Sequence, residues 1–354
     1  MNILLLLAHA IEEHDQLRLL RSLGHDVWSI GSYIGGPVAP HDPTRPALPD
    51  LLPHDDLRAL VDALPGEDKM DAAKRHLPDA IIEWADTIIV HHYEHTWLVP
   101  QWDRIKHKRI IWRTVGQSVE GNERMMAPLR SEGLQIVRYS PKERNIPGYA
   151  GEDALIRFYK DPADWYGWTG EDARVINITQ HLRQRDPFTN WRFWEAATAG
   201  LPRVALGPGS EEIGGPGGLT YDAMREWLRR GRVYLYTGTQ PASYTLGLIE
   251  AMMTGIPVVS IGPVWMHVFP YGPDLFEGHE LAGDWADTPS GARQLIRSYM
   301  GSDQRPDSPH PTIDTWAAGI TYERARQRSA EIRAHAIDLF GIDTIRAQWD
   351  AFLR

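Results

Sequence analysis

The stretch SYTLGLIEAMMTGIPVV, residues 243–259, has the composition of a buried helix followed by a buried strand. Most of its side chains are apolar, and Pro257, Val258 and Val259 begin the strand. One carboxylate, Glu250, stands in the middle of the predicted helix. Because charged residues are rarely buried without a partner, Glu250 has two interpretations. It is either a rim carboxylate that is solvated or paired with an arginine, or a carboxylate that binds a ligand.

The start of this helix predicts an anion site. Ser243 is a suitable N-cap, and the amides near Tyr244, Thr245 and Leu246 then point toward any bound anion. Glu250 lies seven residues beyond Ser243, which is two turns or about 11 Å along one helix face. That distance matches the reach of a nucleotide from its outer phosphate to its ribose. We therefore expect a diphosphate at the helix start and ribose hydroxyls at Glu250.

Composition limits the class of protein. The 354 residues are enough for two domains with separate cores. The absence of cysteine excludes disulfides and thiolate metal sites. A net charge of −10 argues against broad nonspecific binding of nucleic acid, although RIKHKRIIWR (104–113) is a dense basic stretch. No segment has the length and hydropathy of a signal or membrane span, so we expect a cytoplasmic protein.

Apolar strands alternate with helical patterns along the chain, which is typical of parallel α/β architecture. The first series of predicted strands is NILLLLA (2–8), DVWSIG (26–31), DTIIVHHY (86–93), KRIIWRTVG (108–116) and LQIVRYS (134–140). The second series is RVINITQ (174–180), PRVALGPG (202–209), RVYLYTG (232–238) and IPVVSIG (256–262). Helices are predicted at roughly 188–199, 219–230, 243–254 and 289–300.

These patterns predict two Rossmann-like domains with parallel sheets, at 1–160 and 172–335, which face a central cleft. A ligand is expected between them, at the carboxyl ends of the strands. The polar and aromatic segment 159–172 has the composition of an interdomain connection. The Pro-rich segment 35–53 is predicted to be a loop. A C-terminal helix at 336–354 is expected to pack back toward the first domain.

The segment GLIEAMMTGIPVVSIG (247–262) resembles the donor-binding motif of retaining glycosyltransferases of the GT-B type, in which a Glu-x7-Glu pair runs into EAmA-x-G-x-PVV. NILLLLAHA (2–10) is similar to the first strand and nucleotide-facing loop of that family, and FGIDTIRAQWDAFL (340–353) to its closing helix. The resemblance implies a hexosyl- or pentosyltransferase. Such an enzyme moves a sugar from a nucleotide-diphosphate donor to a hydroxyl acceptor with retention, and it needs no metal or other cofactor.

The resemblance also implies donor contacts. Arg183 and Arg185 follow the strand RVINITQ and would neutralise the diphosphate during catalysis. The loop at His9 and Ala10 would close over the donor. The other implied donor residues are those of the helix discussed above: Ser243, Tyr244, Thr245, Leu246 and Glu250.

Three positions depart from the family pattern. Ala242 stands where the first glutamate of the motif falls, which removes a usual contact to the donor sugar. The segment HLRQRDPFTNWR (181–192) offers arginines but no lysine for the diphosphate. Gly116 and Gln117 stand near the place of the family's cleft histidine. The donor base and the donor sugar are therefore not specified by the sequence.

Two further motifs have competing interpretations. HHYEH (91–95) suggests zinc, but it lacks the His-Glu-x-x-His order. We expect a polar loop that faces the acceptor, with His92 or His95 contacting or orienting a hydroxyl. GPGSEEIGGPGG (207–218) fails the Gly-x-Gly-x-x-Gly spacing because Glu212 replaces the third glycine, so a flexible loop is predicted there.

The acceptor is left open among a glycan, a lipid, a small molecule and a hydroxylated base in DNA, as in phage-type DNA-modifying glycosyltransferases. The basic stretch 104–113 favours the DNA alternative and the net acidity opposes it. A sugar-nucleotide epimerase would need paired acid and base carboxylates, and no such pair stands out. A non-catalytic sugar-nucleotide binder is the remaining alternative.

Overall fold

A computed structural model describes residues 1–7, 9–31, 54–91, 94–116, 118–262, 284–300 and 313–354. The chain divides into two compact units. Unit 1 comprises Met1–Phe158 with Asp343–Arg354, and unit 2 comprises Tyr159–Ile342. The predicted loop at 35–53, the candidate His92 and the departure at Gln117 lie outside the described residues.

Unit 1 contains a six-stranded sheet in the order β2-β1-β3-β4-β5-β6, in which every pair is parallel. Its strands are β1 (Asn2–Leu6), β2 (Asp26–Ile30), β3 (Thr87–His91), β4 (Arg109–Arg113), β5 (Gln135–Arg138) and β6 (Ala154–Leu155). Its helices up to that point are α1 (Ala10–Ser22), α2 (Asp55–Asp62), α3 (Lys69–Arg75), α4 (Asp79–Trp84), α5 (Glu94–Trp97), α6 (Trp102–Ile105) and α7 (Glu120–Ser131).

Unit 2 contains a five-stranded sheet in the order β11-β10-β9-β7-β8, again entirely parallel. Its strands are β7 (Asp172–Ile178), β8 (Arg203–Leu206), β9 (Gly231–Tyr236), β10 (Val258–Ile261) and β11 (Asp284–Ala286). Its helices are α8 (Trp191–Thr198), α9 (Tyr221–Arg230), α10 (Leu246–Thr254), α11 (Pro289–Met300) and α12 (Ile313–Phe340).

Hydrophobic burial on both faces of the sheets explains the strand sequences. All five residues of β3, TIIVH, are buried, as are the last four of β1. Strands covered by helices on both faces contain continuous apolar runs instead of alternation. Leu4, Leu6, Ile88 and Val90 accordingly join one hydrophobic cluster with the helices on their face of the sheet.

The last helix, α13 (Ile342–Leu353), lies almost entirely in unit 1. The Arg109 guanidinium at the start of β4 donates hydrogen bonds to the carbonyls of Leu353 (2.8 Å) and Phe352 (2.7 Å). It also lies over the Phe352 ring, 5.0 Å from its centroid. A cation at the carboxyl terminus of a helix satisfies unpaired carbonyls and the helix dipole, which attaches α13 to the six-stranded sheet.

The segment predicted as a connection is attached to unit 2. The Arg333 side chain on α12 donates to the carbonyl of Pro162 at 2.9 Å, and also to the carbonyls of Trp165 and Met253. One guanidinium thus ties α12, the end of α10 and the start of unit 2 together. Within the part of the chain that the structure describes, no helix combines the length and hydropathy needed to span a membrane.

Candidate functional site

The carboxyl ends of β8, β7 and β9 lie side by side, because these strands are parallel neighbours. One loop follows each of these three strands: 179–190 after β7, 207–220 after β8 and 237–245 after β9. Ligands of open parallel sheets bind at carboxyl edges. These loops are therefore the first place to look for a site in unit 2.

Hydrogen bonds join the three loops. The His181 amide donates to the Pro208 carbonyl at 2.7 Å, which links the first loop to the second. The Asn190 side chain donates to the Thr237 carbonyl at 2.8 Å, and the Gln240 amide donates to the Phe188 carbonyl at 2.8 Å. The first loop is thus bonded on both sides and its position is fixed by its neighbours.

The loop 179–190 presents two arginines to solvent. Arg183 and Arg185 are exposed, and their side chains make no hydrogen bond or ion pair with any residue that the structure describes. Arg192, at the start of α8, instead pairs with Asp186 at 3.2 Å. Beneath the arginines the buried Thr189 hydroxyl donates to the Leu182 carbonyl at 2.6 Å. The loop is thus held from inside while two guanidinium groups keep all their donors.

Helix α10 begins later than the sequence predicts. Its N-cap is Thr245, whose hydroxyl accepts a hydrogen bond from the Leu248 amide at 3.4 Å. Ser243 precedes the helix and is buried, so its prediction as N-cap is wrong. Glu250 consequently lies five residues after the cap, about 7.5 Å along the axis, and the two-turn spacing from Ser243 is also wrong.

The first turn of α10 lies against the end of β7. A Cβ atom on Gly247 would lie 3.4 Å from the Ile178 side chain, an ordinary van der Waals contact, so the start of the helix packs directly against this residue. Ile178 is the last residue of β7 and directly precedes the arginine loop. The amide end of α10, with Thr245 and Leu246 half-buried, therefore opens at the same edge as Arg183 and Arg185. Tyr244 is instead buried, with its ring 5.5 Å from that of Phe340.

Glu250 is buried, not a surface carboxylate of its helix. Its side chain is 2% exposed, and its Oε1 lies 3.1 Å from the Nζ of Lys160, which is 1% exposed. Lys160 comes from the segment that begins unit 2, and a bridge to Gly341 fixes its backbone. Burial raises the pKa of Tyr234 in the neighbouring strand, and the negative charge of Glu250 adds to that shift. The partner that the sequence interpretation missed is thus a lysine 90 residues upstream.

The remaining predicted site residues lie in unit 1. His9 is the exposed N-cap of α1, without a side-chain capping bond, and Ala10 is its first residue. His95 is exposed on the short helix α5, whereas His91 at the end of β3 is buried. Among the described residues no group of three or more His, Asp or Glu side chains could hold a metal ion.

A buried charged cluster at the ends of β4 and β5 was not predicted from the sequence. The Arg138 guanidinium donates to both Glu123 carboxylate oxygens, at 2.6 and 2.7 Å, and both side chains are fully buried. The Glu143 carboxylate accepts from the Thr114 hydroxyl (2.8 Å) and the Tyr139 amide (3.1 Å). Burial raises the pKa of Glu143 to about 7, although Arg138 opposes the shift.

The basic stretch 104–113 is neutralised within unit 1. Its charged side chains form the following contacts: Arg104 with Asp79 at 2.6 Å, Lys106 with Asp103 at 2.6 Å and with Glu132 at 3.2 Å, and Lys108 with Glu83 at 3.9 Å. Arg109 bonds the end of α13, and Arg113 is buried. This stretch does not provide a row of unpaired cations.

The glycine-rich segment 207–218 forms a loop with one 3₁₀ turn at Ser210–Ile213, and its own hydrogen bonds close it. The buried Ser210 hydroxyl accepts a hydrogen bond from the Gly217 amide at 2.9 Å, and the Gly207 amide donates to the Gly217 carbonyl at 3.1 Å. Gly207 and Gly217 have positive φ values, 109° and 82°, which glycine adopts at little cost. The glycines therefore serve turn geometry.

Comparison with known proteins places this fold. The chain is similar over its whole length to HepE of Anabaena in complex with UDP and glucose, with 14% identity, a TM-score of 0.61, and coverage of 100% of this chain and 99% of that one. HepE in complex with UDP-glucose gives 13% identity, a TM-score of 0.59 and the same coverage. A glycosyltransferase from Rickettsia africae gives 10% identity and a TM-score of 0.61, with 100% of this chain and 98% of that chain covered.

No protein-family model and no curated protein sequence matches the chain. At these low identities the likeness establishes the fold alone. The fold shared with these structures is the GT-B fold of glycosyltransferases, and the predicted α/β class with two parallel, Rossmann-like sheets is confirmed.

Proposed function

We propose that the chain is a glycosyltransferase that moves a sugar from a nucleotide-diphosphate donor to a hydroxyl acceptor. One observation carries the proposal: two exposed arginines without partners among the described residues occupy the same sheet edge as the start of α10. The GT-B fold supports it, since structures with this fold hold UDP and UDP-glucose in HepE.

Sugar transfer requires stabilisation of the departing diphosphate, and preorganised groups at the leaving oxygens give the largest electrostatic contribution. Arg183 and Arg185 supply fixed positive charge and bidentate donors. The free amides in the first turn of α10, at Leu246 and Gly247, add N–H donors and the positive end of the helix dipole. In the proposed mechanism these groups bind the diphosphate before transfer and hold it as the glycosidic bond breaks.

The same groups make a metal unnecessary in the proposed mechanism, because guanidinium charge replaces a divalent cation at the diphosphate. Transfer should then continue in EDTA. Activity that EDTA abolishes and magnesium restores would assign the leaving-group stabilisation to a metal instead. Retention, which the resemblance to retaining enzymes implies, is tested by the anomeric configuration of the first product formed.

The donor site is tested with a panel of nucleotide sugars that starts from UDP-glucose, the ligand seen in HepE. Binding to the folded state should raise the melting temperature, by an amount that grows with the logarithm of the affinity at a fixed ligand concentration. The panel member with the largest shift is then offered to hydroxyl acceptors, and free nucleotide diphosphate is measured. The absence of a shift with every member would contradict the proposal, whereas binding without nucleotide release would favour a non-catalytic binder.

The acceptor is proposed to bind unit 1, with His9 and Ala10 near the donor and His95 near the acceptor hydroxyl. Glycans, lipids and small molecules all present such hydroxyls. The DNA alternative is not favoured, because the cations of 104–113 are bonded within unit 1. Sugar transfer to hydroxymethylated duplex DNA, at a rate that falls steeply as salt is added, would instead favour DNA as the acceptor.

A further inference from the structure

His181 has an unusual backbone for a residue with a side chain. It begins the arginine loop with φ 53°, in the left-handed region that non-glycine residues occupy at a cost. Its amide donates to the Pro208 carbonyl at 2.7 Å, and its own carbonyl accepts from the Arg185 amide at 3.0 Å. The first of these hydrogen bonds fixes His181 to the neighbouring loop. The second closes a turn that contains both His181 and Arg185.

Gly209, on the neighbouring loop, makes room for the His181 ring. A Cβ atom on Gly209 would lie 2.5 Å from the imidazole Nδ1, so a side chain there would displace the ring. The Gln184 side chain also contacts Gly209, because its amide donates a hydrogen bond to the Gly209 carbonyl at 3.2 Å. The His181 side chain is exposed and makes no hydrogen bond or ion pair with the described residues. Nδ1 packs against Gly209, and no described residue forms a hydrogen bond with the ring.

We propose that His181 is a third anion-binding group of the donor site, which contacts the donor diphosphate as an imidazolium and makes donor affinity depend on pH. This inference rests on the proposed function. Histidine is the side chain that ordinarily changes charge between about pH 5 and 8. His181 lies on the same short loop as Arg183 and Arg185. The strained backbone is explained if it aims the ring at the ligand those arginines bind.

The other charges nearby do not produce such a pH dependence. The ionisable groups on the two loops that meet at His181 are Arg183, Arg185, Asp186, Glu211 and Glu212. Arginine and solvated carboxylates ordinarily keep their charge from about pH 5.5 to 8.5. Both phosphates of a nucleotide-diphosphate sugar are diesters, which also keep their charge in this range. A change in affinity across it therefore reports a histidine, either His181 or His9, which the proposed function places near the donor, and replacing His181 alone separates the two.

The test is calorimetry with UDP-glucose, or with the panel member that gives the largest thermal shift, at several values from about pH 5.5 to 8.5. The affinity of the wild-type chain should rise roughly tenfold toward the acidic end, as expected for one gained charge-assisted hydrogen bond. His181→Asn should remove the slope and match the wild type at the alkaline end, because asparagine tolerates the left-handed backbone. His107→Gln, on the exposed surface of unit 1, should retain the slope.

A purely structural His181 would weaken binding equally at every pH in the Asn variant, and that result would overturn the inference. The inference is equally overturned if the wild type binds the donor with the same affinity throughout, while the proposed function stands. If no nucleotide sugar binds at any pH, both fall together.

Discussion

Arginines stand at the carboxyl edges of both sheets, but their surroundings are opposite. In unit 1, Arg113 and Arg138 end β4 and β5 and are fully buried, and Arg138 is bonded to both oxygens of Glu123. In unit 2, Arg183 and Arg185 follow β7, are exposed, and make no side-chain bond with the described residues. The same residue type at the same edge of two parallel sheets therefore has two different roles.

The difference follows from desolvation. A buried guanidinium has lost its water and is tolerated only with carboxylates and carbonyls around it, so its bonding capacity is used inside the protein. An exposed guanidinium incurs no such cost and keeps its donors for an incoming anion. The number of cations in a stretch does not indicate an anion site, whereas unpaired, exposed cations on a fixed loop do. Lys160 and Glu250 lie in unit 2, but they resemble the arginines of unit 1, because both side chains are buried and paired with each other.

The largest expected effect comes from breaking that buried pair. Lys160→Met keeps an aliphatic side chain of similar length but leaves the Glu250 carboxylate buried without its lysine. Removing one partner of a buried pair costs about 3–5 kcal/mol, and the free energy of unfolding in denaturant should fall by that amount.

Adding Glu250→Gln to the Lys160→Met variant should restore most of the loss, because no buried charge remains. The matched surface control is Arg124→Met. Arg124 pairs with Glu120 on the exposed face of α7, and such pairs contribute about 0–1 kcal/mol. Equal losses for the two single variants would show that Lys160 and Glu250 are not a buried pair in solution.

The buried carboxyl group of Glu143 should make the stability of the protein depend on pH. Burial raises the pKa of Glu143 from its ordinary 4.5 to about 7, so the folded protein holds a proton that the unfolded chain releases. Stability is then highest below the ordinary value and decreases as pH rises from 4.5 through about 7. At one pKa unit per 1.36 kcal/mol, the total loss is about 3 kcal/mol.

Glu143→Gln imitates the protonated side chain and should remove this loss, so its unfolding free energy changes less across the window. The exposed carboxylate Glu120, in the same unit, provides the control through Glu120→Gln, whose profile should follow the wild type. If Glu143→Gln kept the full wild-type slope, another group would carry the titration.

These buried partners mark the limit of what the sequence could predict. Strand positions followed from apolar runs, and the helix predicted at 289–300 has the bounds Pro289–Met300. The start of α10 was placed too early, because both Ser243 and Thr245 are good caps and only tertiary packing selects between them. No local pattern links Glu250 to Lys160, since ion pairs between distant segments leave no periodic signal.

The arginine loop shows the converse. Its residue types and its position after β7 were sufficient to nominate Arg183 and Arg185, because ligands gather at carboxyl edges of parallel sheets. The sequence could not show that both arginine side chains are exposed and have no partner among the described residues. Nor could it show that the cations of the basic stretch 104–113 form ion pairs within unit 1. The left-handed backbone of His181 was likewise invisible to residue-type reasoning.

Removal of an exposed arginine should weaken donor binding without unfolding the protein. Arg185→Gln deletes one charge-assisted contact to the donor, which contributes about 1.5–3 kcal/mol. Affinity for the nucleotide sugar, measured by calorimetry, should fall by at least roughly tenfold. Stability should stay within about 0.5 kcal/mol of the wild type, because the side chain is exposed and unpaired among the described residues.

Lys106→Gln, in the paired basic stretch, provides the matched control and should leave donor affinity unchanged. If both variants bound the donor with wild-type affinity, Arg185 would not be a donor-binding residue.

The smallest effect concerns whether Glu250 contacts the donor ribose in addition to Lys160. If its carboxylate accepts the 2′-hydroxyl, the wild type should bind UDP roughly tenfold more tightly than 2′-deoxy-UDP, the effect of one hydrogen bond to a charged group. Glu250→Gln should reduce that preference toward unity, whereas Arg185→Gln should weaken both nucleotides by the same factor and keep it. A burial role alone predicts a different pattern, in which Glu250→Gln lowers stability and leaves the preference intact. The ratio of two dissociation constants is insensitive to a general loss of stability, so calorimetry with the two nucleotides separates a ribose ligand from a purely structural carboxylate.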